Sequence, residues 1–125
     1  MKNERRFCKC ARCGNIISYI KKSSPDVLCC GEKMAELQPN TADAAAEKHV
    51  PVVERAGDKL IVTVGSVPHP MTEEHHIAWI VVAAGSRTQR IALSSTGVPS
   101  ADFTVGDDPV TVYAYCNLHG LWAVD

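Results

Sequence analysis

The sequence predicts a mainly β protein in two parts, a small metal module held by cysteines followed by an antiparallel β-sandwich of immunoglobulin-like type. Three observations predict it. Five of the six cysteines fall within the first 30 residues, whereas all five histidines lie beyond them. After His49 the apolar residues recur with period two in short runs separated by turn signals. No stretch carries the pattern of a long amphipathic helix.

The totals agree with that division. A chain of 125 residues holds one ordinary domain, or a domain of about 90 residues with a small appended module, and the cysteines favour the second. With 46% hydrophobic and 22% charged residues a packed core is expected and disorder is not. A formal charge of -1, without a polybasic block, argues against nucleic acid and membrane surfaces as partners. No run approaches the roughly 18 apolar residues of a membrane span. Met1 to Phe7 is charged and lacks the apolar core of a secretory signal, so the cytoplasm is expected. Cysteines kept reduced there read as metal ligands or reactive thiols.

Taken in order, Cys10-x2-Cys13-Gly14 is a metal knuckle, in which a turn aims two thiolates at one point and the glycine tolerates the backbone twist. The opposing pair, Cys29-Cys30-Gly31, is adjacent, so a distorted tetrahedral tetrathiolate site is expected. Such a cage holds zinc or iron. Cys8 is left as a spare thiol. Ile16 to Ile20 reads as a short strand and Ser23 to Asp26 as a turn. A module this small buries too little to fold alone, so its metal is part of its stability. Residues 38–48 are small and polar, a linker with one helical turn capped by Thr41 and ended by Val50 ahead of Pro51.

Strands are then expected at 50–54, 59–64, 76–82, 89–93, 110–115 and 121–124, with turns at 56–58, 84–86, 95–99 and 106–109. The segment 65–75, stiffened by Pro68 and Pro70, is a long connection on a rigid scaffold, where function tends to sit. His49 opens the first of these strands, His69 lies between prolines, His75 ends the long connection, and His119 follows the strand that carries Cys116. Each histidine alone is more often a surface residue than a ligand. Together with Cys116-x2-His119 they point to a second metal site. Five nitrogen and sulfur donors exceed the four of structural zinc. A blue copper site would want an axial methionine, and no methionine follows His119. Iron accepts five ligands and keeps a sixth position open, and an axial thiolate pushes electron density onto it.

Several strings carry a family resemblance: Cys10-x2-Cys13-Gly14-Asn15, Cys29-Cys30-Gly31, Glu47-Lys48-His49-Val50-Pro51, Val64-Gly65-Ser66-Val67-x-His69-Pro70-Met71, His75 with Trp79, and Tyr115-Cys116-Asn117-Leu118-His119-Gly120. In content and order they resemble the desulfoferrodoxins, the two-iron superoxide reductases. The resemblance implies a desulforedoxin-like, rubredoxin-type iron module over residues 1–37, a linker at 38–48 and a superoxide reductase sandwich domain over 49–125. It implies two irons per chain, one on Cys10, Cys13, Cys29 and Cys30 and a catalytic one on His49, His69, His75, His119 and Cys116. Glu47 and Lys48 would flank the open position.

Lys48 would attract superoxide, protons delivered through water near it would release hydrogen peroxide, and Glu47 would fill the vacant position in the oxidised resting state. A rubredoxin-like carrier would return the electron. The exposed strands of the small module point to a homodimer. Two departures leave alternatives open: Cys8 stands beside Cys10, and His76 directly follows His75. The rival readings are an electron carrier that does not turn over superoxide, and a zinc ribbon fused to an immunoglobulin-like binding module.

Overall fold

The structure, a computed structural model, describes residues 1–125. The chain divides into two compact units, Arg5–Gln38 and a second made of Met1–Glu4 with Pro39–Asp125. No helix is long and apolar enough to cross a membrane.

The smaller unit contains β1 (Phe7–Lys9), β2 (Ile16–Ser18), β3 (Leu28–Cys29), β4 (Glu32–Lys33) and β5 (Ala35–Glu36). β1 lies between β2 and β5 in an antiparallel sheet, and β3 with β4 forms a separate hairpin. The hairpin loop is Cys30-Gly31, with φ of 52° and 76°. Positive φ at both central residues is what the tight hairpin turn matched to strand twist requires. The apolar interior is small: Cys8, Cys10 and Met34, flanked by Ile17, Tyr19 and Val27. Cys8, 2% exposed, is one of its packing residues.

The larger unit contains α1 (Ala46–His49), β6 (Pro51–Ala56), β7 (Lys59–Val64), β8 (Ile77–Ala84), β9 (Arg87–Ala92), β10 (Ser100–Thr104), β11 (Thr111–Cys116) and β12 (Gly120–Val124). One sheet runs β10-β7-β6 and the other β12-β11-β8-β9, all pairings antiparallel. The alternation along β7 turns Leu60, Val62 and Val64 inward, each fully buried. They share one core with Ile77, Ile80 and Val82 of β8 and with Val112, Ala114 and Cys116 of β11. β11 is buried along its whole length, as a central strand covered on both faces should be.

Three expectations change. The boundary expected at 37 moves at both ends, because side-chain amides fasten flanking residues to the sandwich. The Asn3 backbone amide donates to Thr111 Oγ1 (3.0 Å) and its side-chain Oδ1 accepts from the Gly85 amide (3.0 Å). Asn40 bonds Ala123 in both directions, 3.1 Å and 2.9 Å, so 39–48 belongs with the sandwich and is no free linker. The helical turn begins after Ala45 without any side-chain cap, not at Thr41, and His49 is its last residue instead of the first residue of a strand. Pro51 ends it as expected, with Val50 extended at φ -70°, ψ 121°. Finally, β10 lies where only a connection was expected.

Candidate metal centres

In the smaller unit the sulfurs of Cys10, Cys13, Cys29 and Cys30 lie within 4.8 Å of one another. The knuckle is closed by the Gly14 amide donating to the Cys10 carbonyl (3.0 Å), with Gly14 at φ 82°. Inside it the Cys13 amide donates to Cys10 Sγ at 3.4 Å. From the other side, Cys13 Sγ and Cys29 Sγ are 3.6 Å apart, and Asn15 Nδ2 donates to Cys29 Sγ at 3.6 Å. The two φ values of the hairpin loop bring adjacent cysteines to one point, which answers how neighbours share a site. Backbone amides of Cys13 and Arg12 bring the Cys10 thiol down to about 6, while hydrogen bonds to the Cys13 and Cys10 sulfurs hold Cys30 up at about 12. One thiolate forms readily and the next is opposed. A bound cation removes that opposition, so this donor set fits a metal ion. Cys8 faces the small core and is not in the cluster.

The second cluster is assembled at one end of the sandwich from three parts of the chain, α1, the connection between β7 and β8, and the β11–β12 hairpin. β11 ends in Cys116 and returns as β12 through a three-residue loop, Asn117-Leu118-His119, closed by Gly120 at φ 77°. That hairpin form needs a left-handed residue after the loop, and glycine supplies it. The pairing of β11 with β8 shifts register between Tyr115 and Cys116, an irregularity of the kind that re-aims a side chain beside a site. α1 presents His49. The connection after β7 presents His69, whose amide donates to the Val64 carbonyl (2.8 Å), and the segment before β8 presents His75. Gly65 lies against α1: a Cβ there would stand 2.6 Å from the Glu47 carbonyl oxygen. Only glycine allows this close approach.

The four rings form a closed circuit. Neighbouring centroids are 4.7 Å apart for His49 and His69, 4.5 Å for His69 and His75, 5.1 Å for His75 and His119, and 4.9 Å for His119 and His49. Each neighbouring pair stands edge to face, whereas His49 and His75 face each other across the circuit at 6.3 Å. Cys116 Sγ approaches two opposite members, His69 Nε2 at 3.4 Å and His119 Nδ1 at 3.8 Å. His76 is outside: its Nδ1 bonds the Thr72 carbonyl at 2.9 Å.

The hydrogen bonds fix which nitrogens face inward. His49 Nδ1 donates to the Ala45 carbonyl (2.8 Å) and His69 Nδ1 to the Pro70 carbonyl (2.7 Å), because a carbonyl can only accept. Burial lowers His49 and takes His69 down to about 4, so both rings are neutral at pH 7. Their Nε2 atoms therefore carry bare lone pairs, and they stand 3.2 Å apart with no proton between them. His119 Nδ1 is likewise 3.2 Å from His49 Nε2. The buried Nε2 of His75 has no partner. Converging lone pairs and an orphaned buried nitrogen fit a cation at the centre.

Two further residues act on this circuit without having stood out in the sequence. Trp122 stacks on His49, with centroids 4.9 Å apart, and its Nε1 donates to the His119 carbonyl at 3.1 Å. Asn117 bonds both residues flanking His75. Both lie within seven residues of Cys116, and a search for hydrogen-bonding neighbours of the ligand candidates would have found them.

A family model described as Desulfoferrodoxin matches residues 41–125. The chain is 48% identical to a desulfoferrodoxin of Syntrophotalea carbinolica over 92% of its own length and 91% of that protein's. It is 42% identical to a desulfoferrodoxin of Nitratidesulfovibrio vulgaris over 100% of its length and 99% of the relative's. Among solved structures, that of the superoxide reductase from Treponema pallidum superposes with a TM-score of 0.81 at 37% identity, covering 98% of this chain and 99% of that one. With the model matching from residue 41 to the last residue and relatives aligned over nearly the full length, the chain belongs to the desulfoferrodoxin family.

Proposed function

We propose that the protein is a superoxide reductase, which adds one electron and two protons to superoxide and releases hydrogen peroxide. The observation that carries this reading is the closed circuit of four imidazoles over the Cys116 sulfur, with the Nε2 lone pairs of His49 and His69 turned inward and the buried Nε2 of His75 unpartnered. In it His49, His69, His75, His119 and Cys116 would hold iron, a metal that accepts more than five ligands and so could still take a small anion. The name of the Treponema pallidum structure supports the same substrate.

When bound, the iron supplies the electron, and its thiolate ligand strengthens it as a donor. The rest falls to the chain. The Ala45 and Pro70 carbonyls fix two rings in the tautomer that turns Nε2 inward. The Lys48 ammonium attracts the anion, a local task in a protein of formal charge -1, and protons reach the product through water beside Lys48 Nζ. Glu47, beside Lys48 and two residues before His49, would be the carboxylate available to fill a position the five donors leave open. Its carbonyl accepts from the Val67 amide (2.9 Å), which fastens the Glu47-Lys48 backbone to the connection that carries His69.

Cys10, Cys13, Cys29 and Cys30 would hold a second, rubredoxin-like iron in the unit Arg5–Gln38, and a rubredoxin-like carrier would supply the electrons. Six cysteines without a disulfide suit a reducing compartment, the cytoplasm, and the exposed strand edge of the smaller unit suits a homodimer. The test is an anaerobic superoxide assay on the iron-loaded full chain with a reductant present. Hydrogen peroxide should form from each superoxide consumed without evolution of dioxygen, and Cys116→Ser should abolish it. Dioxygen released alongside peroxide would mean dismutation, and no peroxide would mean simple electron transfer.

A further inference from the structure

We infer that Asn117 is a positioning residue for the metal centre, a clamp that holds the His75 imidazole in the circuit through the backbone on either side of it. The inference rests on the metal reading proposed above. Two of the other rings are fastened directly: His49 Nδ1 and His69 Nδ1 donate to backbone carbonyls. His119 rides on the three-residue hairpin between Cys116 and Gly120. His75 is different. Its buried Nε2 has no hydrogen-bond partner, so beyond its packing against the neighbouring rings the imidazole depends on the main chain that carries it.

That main chain belongs to an exposed segment. Thr72, Glu73 and Glu74 face solvent, and the bonds Thr72 makes, from its amide to the His75 carbonyl (2.9 Å) and from the His75 amide to its Oγ1 (3.1 Å), knit the segment only to itself. Asn117 ties it to the hairpin. Its Oδ1 accepts from the His76 amide at 2.8 Å, its Nδ2 donates to the Glu74 carbonyl at 2.9 Å, and its own amide donates to the His76 carbonyl at 3.2 Å. The side-chain bonds run in opposite senses, so only a carboxamide satisfies both, and a flipped amide would lose both. Asn117 follows Cys116 and precedes His119 by two positions. The hairpin that carries two donors therefore also sets the register of the segment that carries a third. Partners of this kind typically change metal affinity by about 10- to 100-fold when removed.

The experiment is a double-mutant cycle on the full chain, with wild type, Asn117→Ala, His75→Ala and the double variant each titrated anaerobically with ferrous iron against a chelator. Asn117→Ala should weaken iron binding at the histidine centre about 10- to 100-fold in the wild-type background. In the His75→Ala background it should change binding by less than about twofold, because the ring it positions is already gone. Equal losses in both backgrounds would show a general structural effect and overturn the inference, as would undiminished affinity in the first. If Asn117→Ala does not fold, Asn117→Asp keeps the acceptor for the His76 amide and loses the donor to Glu74. A partial, His75-dependent loss is then expected, and wild-type affinity overturns the clamp. Wild-type protein that takes up no iron at the histidine centre would refute the metal reading itself, a result distinct from every failure of the clamp.

Discussion

Lys48 is exposed, and its charge reaches both His49 and His75, adding to the burial that lowers them. A cation felt at the circuit from solvent is what steering of a small anion requires. Lys48→Ala should lower the second-order rate with superoxide about tenfold at low ionic strength. The gap should close as salt screens the charge. Pulse radiolysis or stopped-flow mixing checks this, and equal rates at low salt would remove Lys48 from the capture step. A different residue contributes to stability in acid. Asp125 accepts from Thr111 Oγ1 at 2.6 Å and from the Lys2 amide at 3.1 Å, and its carboxyl lies below the usual 3.8 because these bonds favour the ionised form. Above 3.8 the stabilisation is fully present, and as pH falls below it the unfolded chain takes up the proton first and the advantage is lost. Asp125→Asn should therefore unfold at a lower temperature than wild type at pH 7, and the two melting curves should converge in acid.

Among the elements, β10 shows how a strand escapes notice. Ser100-Ala101-Asp102-Phe103-Thr104 has no β-branched apolar residue and only one side chain in the core, yet it pairs with β7 over its whole length, from Ser100 with Thr63 to Thr104 with Lys59. Its burial pattern is that of an edge strand, half wet on one face. Because Phe103, 3% exposed, is its hold on the core, Phe103→Ala should cost about 3–5 kcal/mol of unfolding free energy in urea titration. An effect below 1 kcal/mol would mean that β10 is held by its ladder alone. The β11–β12 hairpin is the opposite case. Cys116, His119 and Gly120 sit in one short string, so the sequence shows both the chemistry and the left-handed position that closes the loop.

In the molecule as a whole, the two units differ in what holds them. The largest buried cluster of the sandwich has thirteen residues, whereas that of the unit Arg5–Gln38 has three, two of them cysteines. Stripping the tetrathiolate metal with a chelator should raise amide exchange across residues 5–38 while β7, β8 and β11 stay protected. Uniform loss of protection would contradict separate stabilisation. What the sequence by itself determined is the kind of chemistry and the class of fold. Cysteine spacing near the N-terminus, period-two runs after His49 and the Cys116-x2-His119 string are local patterns, and local patterns survive in one dimension. Only the tertiary structure decided the rest. It turned the His75 ring into the circuit and the His76 ring onto the Thr72 carbonyl, and it placed Cys8 in the small core and outside the cysteine cluster. It also drew Asn3 and Asn40 onto the sandwich and set Asn117 against the segment around His75. These are contacts between residues more than 35 positions apart that satisfy backbone groups in the folded sheets, and no short pattern records that.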